Sequence, residues 1–166
     1  MGVGVSGNGS FESWYRDTYA RLSTAMVAVC GDRDIASDAT DEALSRAWRR
    51  WDTVRVMSSP EGWTYRVALN LVRSRLRRRR LEQRLLPRLV SRAHISLPAV
   101  EVWELVRALP PRQRIAVVLR YVADLDEREI ATVMGITRGT VASTLFAARR
   151  SLGIALDADQ IAEERS

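Results

Sequence analysis

Apolar residues recur every three to four positions along almost the whole chain, and no stretch alternates at period two long enough to require a strand. Phe11, Trp14, Tyr15, Thr18, Tyr19, Leu22, Met26 and Val29 trace one face of a first helix, with Ser10 as its cap and Gly31 as its stop. A second helix starts near Asp34 and buries Ile35, Ala39, Ala43, Leu44, Ala47, Trp48 and Trp51. Its outer face carries Asp38, Asp41, Glu42, Arg46 and Arg49. The period breaks over Asp52–Ser59, which reads as a loop. Ser59-Pro60-Glu61 then starts a third helix, with serine as cap, proline at the first helical position and a carboxylate in the first turn. That helix runs to about Arg80, with Trp63, Val67, Leu71 and Leu76 as its apolar contacts.

Residues 81–98 mix arginine with Pro87 and Pro98 and read as a tether. Val100–Leu109 is a short helix, Pro110-Pro111 forces a turn, and Arg112–Val122 turns Ile115, Val118, Leu119 and Val122 inward. The expected fold is all-α: two small helical modules, over residues 11–80 and 99–156, joined by a flexible tether. The opening MGVGVSGNGS reads as a disordered lead-in, and residues 157–166 as a frayed acidic tail.

Asp126–Leu152, DEREIATVMGITRGTVASTLFAARRSL, is the most informative stretch, because it has the spacing of a helix-turn-helix that enters a DNA major groove. Ile130 and Met134 lie four apart, and Ala131 sits where a second helix must approach closely. Gly135 tolerates positive φ at the end of the first helix. Ile136 plugs the turn, and Thr137 caps the next helix by accepting a backbone N–H. Val141 and Leu145 anchor that helix at i, i+4 and leave its other faces free.

Composition narrows the function. With 46% hydrophobic residues the 166-residue chain has enough apolar surface for buried cores. Modules of this size bury only about 60% of their unfolded surface and are marginally stable alone, so a stabilising partner is in keeping with them. The single cysteine, Cys30, excludes an intramolecular disulfide and fits a reducing cytoplasm. No uncharged run exceeds the eleven residues Met1–Phe11, short of the roughly 20 a membrane span needs. The opening residues lack the basic and apolar regions of a signal peptide. The lone His94 falls in the tether with no ligand partner at metal spacing, so no metal and no cofactor is expected.

Charge is concentrated. All 26 basic residues are arginine, whose planar fork suits phosphate, although a GC-rich genome accounts for most of that choice. Phe11–Trp63 has a net charge of −2 and Ala93–Ser166 of −1, whereas Thr64–Arg92 holds ten arginines against Glu82 alone. The formal +6 therefore comes from one segment, the footprint of a polyanion contact. Arg66, Asn70, Arg73 and Arg77 fall on one stripe of the third helix, at i, i+4, i+7 and i+11. With Trp63 and Tyr65 they supply the ring and guanidinium planes and the phosphate track that single-stranded bases need. An acidic patch of Asp38, Asp41 and Glu42, with Arg46 and beside Trp48, suits a basic, partly apolar partner helix better than DNA.

Together these residues resemble the bacterial RNA polymerase sigma factors of the extracytoplasmic-function (ECF) type, over about Phe11–Leu156. GDRDIASDATDEALSRAW (Gly31–Trp48) and SPEGWTYRVALNLVRSRLRRR (Ser59–Arg79) look like region 2, and ALPPRQRIAVVLRYVADLDEREIATVMGITRGTVAS (Ala108–Ser143) looks like region 4. The resemblance implies that the first module binds the clamp of core polymerase and recognises and opens the −10 element, and that the second reads the −35 element as duplex. It implies that the stretch around Arg55 captures a flipped-out base. It also implies a regulator, usually an anti-sigma protein, and no catalytic activity. One departure matters: where the family commonly has basic residues on the recognition helix, this chain has Ala142, Thr144 and Ala147. What remains for DNA is Arg138, Thr140, Ser143, Thr144, Arg149 and Arg150, which predicts weak or narrow −35 recognition.

The alternative is a free-standing helix-turn-helix regulator that works as a dimer without polymerase. Against it, no receiver or ligand-binding domain precedes the motif, and the sequence offers no dimer surface for two-fold half-site recognition. An enzyme acting on nucleic acid has little support, since the sequence shows no clustered metal-ligand set and no glycine-rich phosphate loop. A membrane-bound basic helix would account for Thr64–Arg92 alone.

Overall fold

The computed structural model describes residues 6–85 and 100–163, with side chains over 11–84 and 102–153. Most of the expected tether, with Pro87, His94 and Pro98, lies outside the described residues. Among those described there is no strand. The chain divides into two compact units, Met1–Ile95 and Ser96–Ser166.

The first unit contains α1 (Ser6–Cys30), α2 (Arg33–Arg49), the single turn α3 (Trp51–Val54) and α4 (Pro60–Leu85). α2 packs on both α1 and α4, and α1 also meets α4. The sequence permits this because α2 turns a row of alanines inward: Ala36, Ala39, Ala43 and Ala47 are all fully buried. Methyl-sized side chains at helical spacing let two neighbours approach on adjacent sides. Leu22 and Met26 of α1 and Leu69 and Val72 of α4 fill the space against them.

Several boundaries differ from expectation. α1 starts at Ser6 rather than after Ser10. No proline stands between Ser6 and Ser10, and a helix already nucleated extends at little cost. Gly31 ends it with φ +69. The expected loop is shortened at its start, since Trp51–Val54 forms α3. Ser59 caps α4, its Oγ accepting from the Gly62 N–H at 2.9 Å. α4 then continues to Leu85, past the expected start of the tether.

Its buried face is also rotated from the expected one. Thr64, Tyr65, Ala68, Leu69 and Val72 are buried, while Trp63, Val67, Leu71 and Leu76 are half-buried. Small and hydroxyl-bearing residues take the inner side because α4 faces two helices at once. Trp48 is the second correction: expected in the core, it is 49% exposed, whereas Trp51 is buried at 8%.

Asp32 joins the two ends of this bundle. Its Oδ1 accepts from the Ile35 N–H at 3.0 Å, capping α2, and its Oδ2 accepts from the Arg79 guanidinium on α4. Burial pushes its carboxyl up, but the Ile35 N–H and Arg79 together outweigh this and hold it below the usual range. A carboxylate lowered on folding adds stability above its unfolded pKa, and that stability is lost as pH falls through the folded value. Asp32→Ala therefore removes cap and ion pair, at least about 1 kcal/mol, and flattens the acid limb of a melting-temperature profile. Asp32→Asn retains the cap and loses less. Equal losses for the two variants, or an acid limb unchanged in both, would count against this account.

The second unit contains α5 (Val100–Ala108), α6 (Pro111–Tyr121), α7 (Glu127–Met134) and α8 (Arg138–Glu163). Ile115, Val118 and Leu119 of α6, Ile130 and Val133 of α7, and Val141, Leu145 and Ala148 of α8 form its core. Val122 and Met134 are only half-buried. Between α6 and α7, Asp124 takes φ +56, a left-handed position that aspartate tolerates better than most residues. α8 continues to Glu163, past the expected start of the tail at residue 157.

Candidate nucleic-acid interface

α7 and the described part of α8 meet at 101°, within the range of a DNA-binding helix-turn-helix. Each end of the turn has its own cap. Asp126 and Glu129 form a reciprocal capping box at the start of α7. Gly135 ends that helix in the left-handed region at φ +68, and Thr137 Oγ1 accepts from the Thr140 N–H at 3.1 Å to begin α8. Arg138 reaches back to Glu127 at 3.3 Å, tying the two helix starts together.

With Val141, Leu145 and Ala148 inward, α8 turns Arg138, Thr140, Ala142, Ser143, Arg149 and Arg150 outward, and Thr144 is half-buried. The hydroxyls of Ser143 and Thr144 both donate to the Thr140 carbonyl oxygen, at 3.0 and 2.7 Å. Arg149 donates to the Tyr121 hydroxyl at 2.8 Å. Phe146, not singled out from the sequence, is 68% exposed on the same helix. Its position next to the buried Leu145, off the inward i, i+4 row, is the signal that could have found it.

In the first unit, Arg66, Asn70 and Arg77 are exposed along α4 and Arg73 is half-buried in the same stripe. Tyr65 does not join them. It is 1% exposed, and burial pushes its phenol far above the usual tyrosine range. A ring on the inner face of α4 cannot stack on a DNA base, so Tyr65 belongs to the core. Trp63 is half-buried and packs against the cluster of Phe11, Ala47, Trp51 and Val54, with Trp14 and Met57 beside it. Trp14 fixes the start of α4 by donating its indole N–H to Glu61 at 2.7 Å. Arg55 stands just after α3, exposed and 3.4 Å from Asp52.

The acidic patch is divided. Glu42 lies 2.7 Å from Arg46 and 3.5 Å from Arg49. The hydrogen bond from Arg46 leads the effects that hold its carboxyl low. Asp38 lies 3.9 Å from Arg75 of α4, with most of its side chain in solvent. Asp41 faces the other way, toward α1. Burial, then Tyr19, then the Asp41 charge push the Tyr15 phenol up. Aromatic rings continue along that edge: Phe11 lies 5.0 Å from Trp48 and 5.9 Å from Tyr15, which is 5.5 Å from Tyr19. Tyr15 and Tyr19 are additions to the surface read from the sequence. Among the described residues, no group of three His, Cys, Asp or Glu side chains is placed to hold a metal ion. No single helix among them is long and apolar enough to cross a membrane.

A capped helix-turn-helix in one helical unit and an arginine stripe on a second helical unit define a two-module DNA-binding protein. Residues 9–82 match the family described as Sigma-70 region 2, and residues 99–152 match Sigma-70, region 4. The chain belongs to the sigma-70 family, in its ECF group of alternative sigma factors, which direct promoter-specific transcription by RNA polymerase. It is similar to the RNA polymerase sigma-E factor of Streptomyces coelicolor, 29% identical over 163 residues, covering 93% of this chain and 92% of that one. It is also similar to the ECF RNA polymerase sigma factor SigW of Bacillus subtilis, 26% identical over 157 residues, covering 83% and 82%. The sigma factor RpoE of Bartonella quintana, solved in complex with the anti-sigma factor NepR, shares the fold. The TM-score is 0.78 at 21% identity, over 90% of this chain and 98% of that one.

Proposed function

We propose that the protein docks on core RNA polymerase through the outer and α1-facing sides of α2, holds the opened −10 strand along α4, and contacts the −35 duplex with α8. It carries out no reaction of its own and acts in the cytoplasm. The observation that carries this reading is the separation of chemistries on the first unit. Asp38, Asp41, Trp48 and Tyr15 offer carboxylates and rings to a basic, partly apolar helix, while Arg66, Asn70 and Arg77 offer guanidiniums and an amide to DNA. Glu42 and Arg46, which neutralise one another, add little to the first surface.

The −35 contact is the weaker one. Ala142 and Ala147 offer no bidentate group, Arg138 and Arg149 already have partners, and base discrimination depends on bidentate pairs worth about 1–3 kcal/mol each. An apolar contact from Phe146 and phosphate contacts from Arg150 supply what remains. An anti-sigma protein, the kind of partner with which RpoE was solved, would act on this chain by covering the exposed Trp48 and Tyr15 edge. The free-standing regulator gives no role to that edge.

The test is co-elution with core polymerase followed by run-off transcription. Asp38→Arg with Asp41→Arg abolishes co-elution. Arg66→Ala with Arg77→Ala retains it and lowers promoter affinity, with a log–log salt slope shallower by about 0.7–0.9 for each phosphate no longer neutralised. Footprinting by the protein alone, with no co-elution of the wild type, would favour the free-standing regulator.

A further inference from the structure

Tyr121, the last residue of α6, is 59% exposed, and its hydroxyl accepts from the Arg149 Nε of α8 at 2.8 Å. The Arg149 guanidinium carbon also stands over the Tyr121 ring, 6.0 Å from its centroid. We infer that Tyr121 is a positioning residue for promoter binding, holding Arg149 so that the outer edge of its guanidinium grips one backbone phosphate of the −35 duplex. This rests on the reading of α8 given above and deepens it, because the bond that withdraws Arg149 from the bases fixes it for the backbone.

Three features carry the inference. The first is that the tie is neutral. Arg138, about three turns away on the same side of α8, gives its Nε–H to the Glu127 carboxylate at 3.3 Å, which offsets its charge. A tyrosine hydroxyl orients Arg149 without offsetting anything, and Arg149 forms no ion pair among the described residues. The second is the donor set. A guanidinium has five N–H donors in one plane, and a bond from Nε leaves both Nη groups as an edge that meets a phosphate bidentately. The bond and the ring limit rotation of that plane, so little freedom is lost when a phosphate arrives. The third is the surroundings. From Arg138 to Leu156 the sequence has three arginines and no carboxylate, which suits a polyanion. Packing does not account for the contact. Val118 and Leu119 of α6 already close the core against Leu145 and Ala148 of α8, and more than half of Tyr121 lies in solvent.

The experiment uses the reconstituted holoenzyme, core polymerase with the full chain, and two fluorescent fragments of the promoter used for run-off transcription. One fragment carries the −35 segment and the other ends downstream of it. Tyr121→Phe, Arg149→Ala and the double variant are compared with the wild type. On the longer fragment Arg149→Ala loses on the order of tenfold in affinity, with a log–log salt slope shallower by about 0.9, the value for one duplex phosphate. Tyr121→Phe keeps the ring and removes the acceptor. It loses roughly threefold with the slope unchanged, because the charge remains and only its aim is lost. The double variant binds no worse than Arg149→Ala. On the shorter fragment all four proteins bind alike, and their melting temperatures coincide. Wild-type affinity of Tyr121→Phe for the longer fragment overturns the proposal. So does a further threefold loss on adding Tyr121→Phe to Arg149→Ala, which would mark the hydroxyl as a DNA contact in its own right. Equal losses on both fragments, or losses that follow a lower melting temperature, overturn it in favour of a general effect on the fold. These outcomes leave the −35 reading intact, whereas a wild type that binds both fragments alike removes that reading itself.

Discussion

Tyr65→Ala unfolds much of the first unit, whereas Tyr65→Phe leaves both its melting and its DNA binding intact. The ring is buried on the inner face of α4, and removing a large buried aromatic side chain costs about 3–5 kcal/mol. For a domain of this size each kcal/mol moves Tm by about 4–8 °C, so the alanine variant melts at least about 12 °C lower. The hydroxyl behaves differently. Among the described residues it is buried with no hydrogen-bond partner. Such a group contributes nothing to hold the fold, and its removal is neutral or favourable by up to about 1 kcal/mol. Circular-dichroism melts of both variants, with strand binding by the holoenzyme, decide the matter. If Tyr65→Phe bound strand poorly at unchanged Tm, the ring would have to be reassigned to the DNA face.

Gly135→Val has the next largest expected effect, and it falls on the second unit. At φ +68 the residue that ends α7 lies in the left-handed region, where a β-branched side chain is an outlier costing about 1–3 kcal/mol. A Cβ built at this position meets nothing within 4 Å, so the cost arises from the backbone rather than from crowding. That distinction yields an ordered series. Asparagine, which visits the left-handed region readily, loses least, alanine more and valine most. Calorimetric melts of the three variants should fall in that order, with −35 dependence of transcription declining alongside. Equal melting of glycine and valine proteins would show that the turn relaxes without cost.

The second unit is the more legible of the two from sequence. Its turn depends on local chemistry: a glycine, a threonine cap and two apolar pairs at i, i+4. All of these act within a few residues of one another. The capping box of Asp126 and Glu129 is equally local and can be read from its three-residue spacing. The first unit is harder because α4 touches two helices. A single period of apolar residues selects Trp63, Val67, Leu71 and Leu76, but two-sided packing brings Thr64, Tyr65 and Ala68 inward instead. Tyr65 reads from sequence as a stacking ring because tyrosine is equally at home against a base or in a core, and only neighbours distant in sequence decide. Trp48 fails in the opposite direction for the same reason. The stripe of Arg66, Asn70 and Arg77 is legible because charge concentration over Thr64–Arg92 depends on no long-range contact. The division of Asp38, Asp41 and Glu42 between opposite sides of α2 is not, since it depends on which helix each carboxylate meets.

The alanine row of α2 separates what holds the bundle together from what it displays. Ala36, Ala39, Ala43 and Ala47 present only methyl groups to α1 and α4, so no outward residue of this helix is needed to set the spacing. The solvent side of α2 can accordingly be exchanged for that of a related chain without repacking the interior. On the docking reading proposed above, polymerase affinity and response to regulators can therefore diverge between related chains while the scaffold beneath them stays constant.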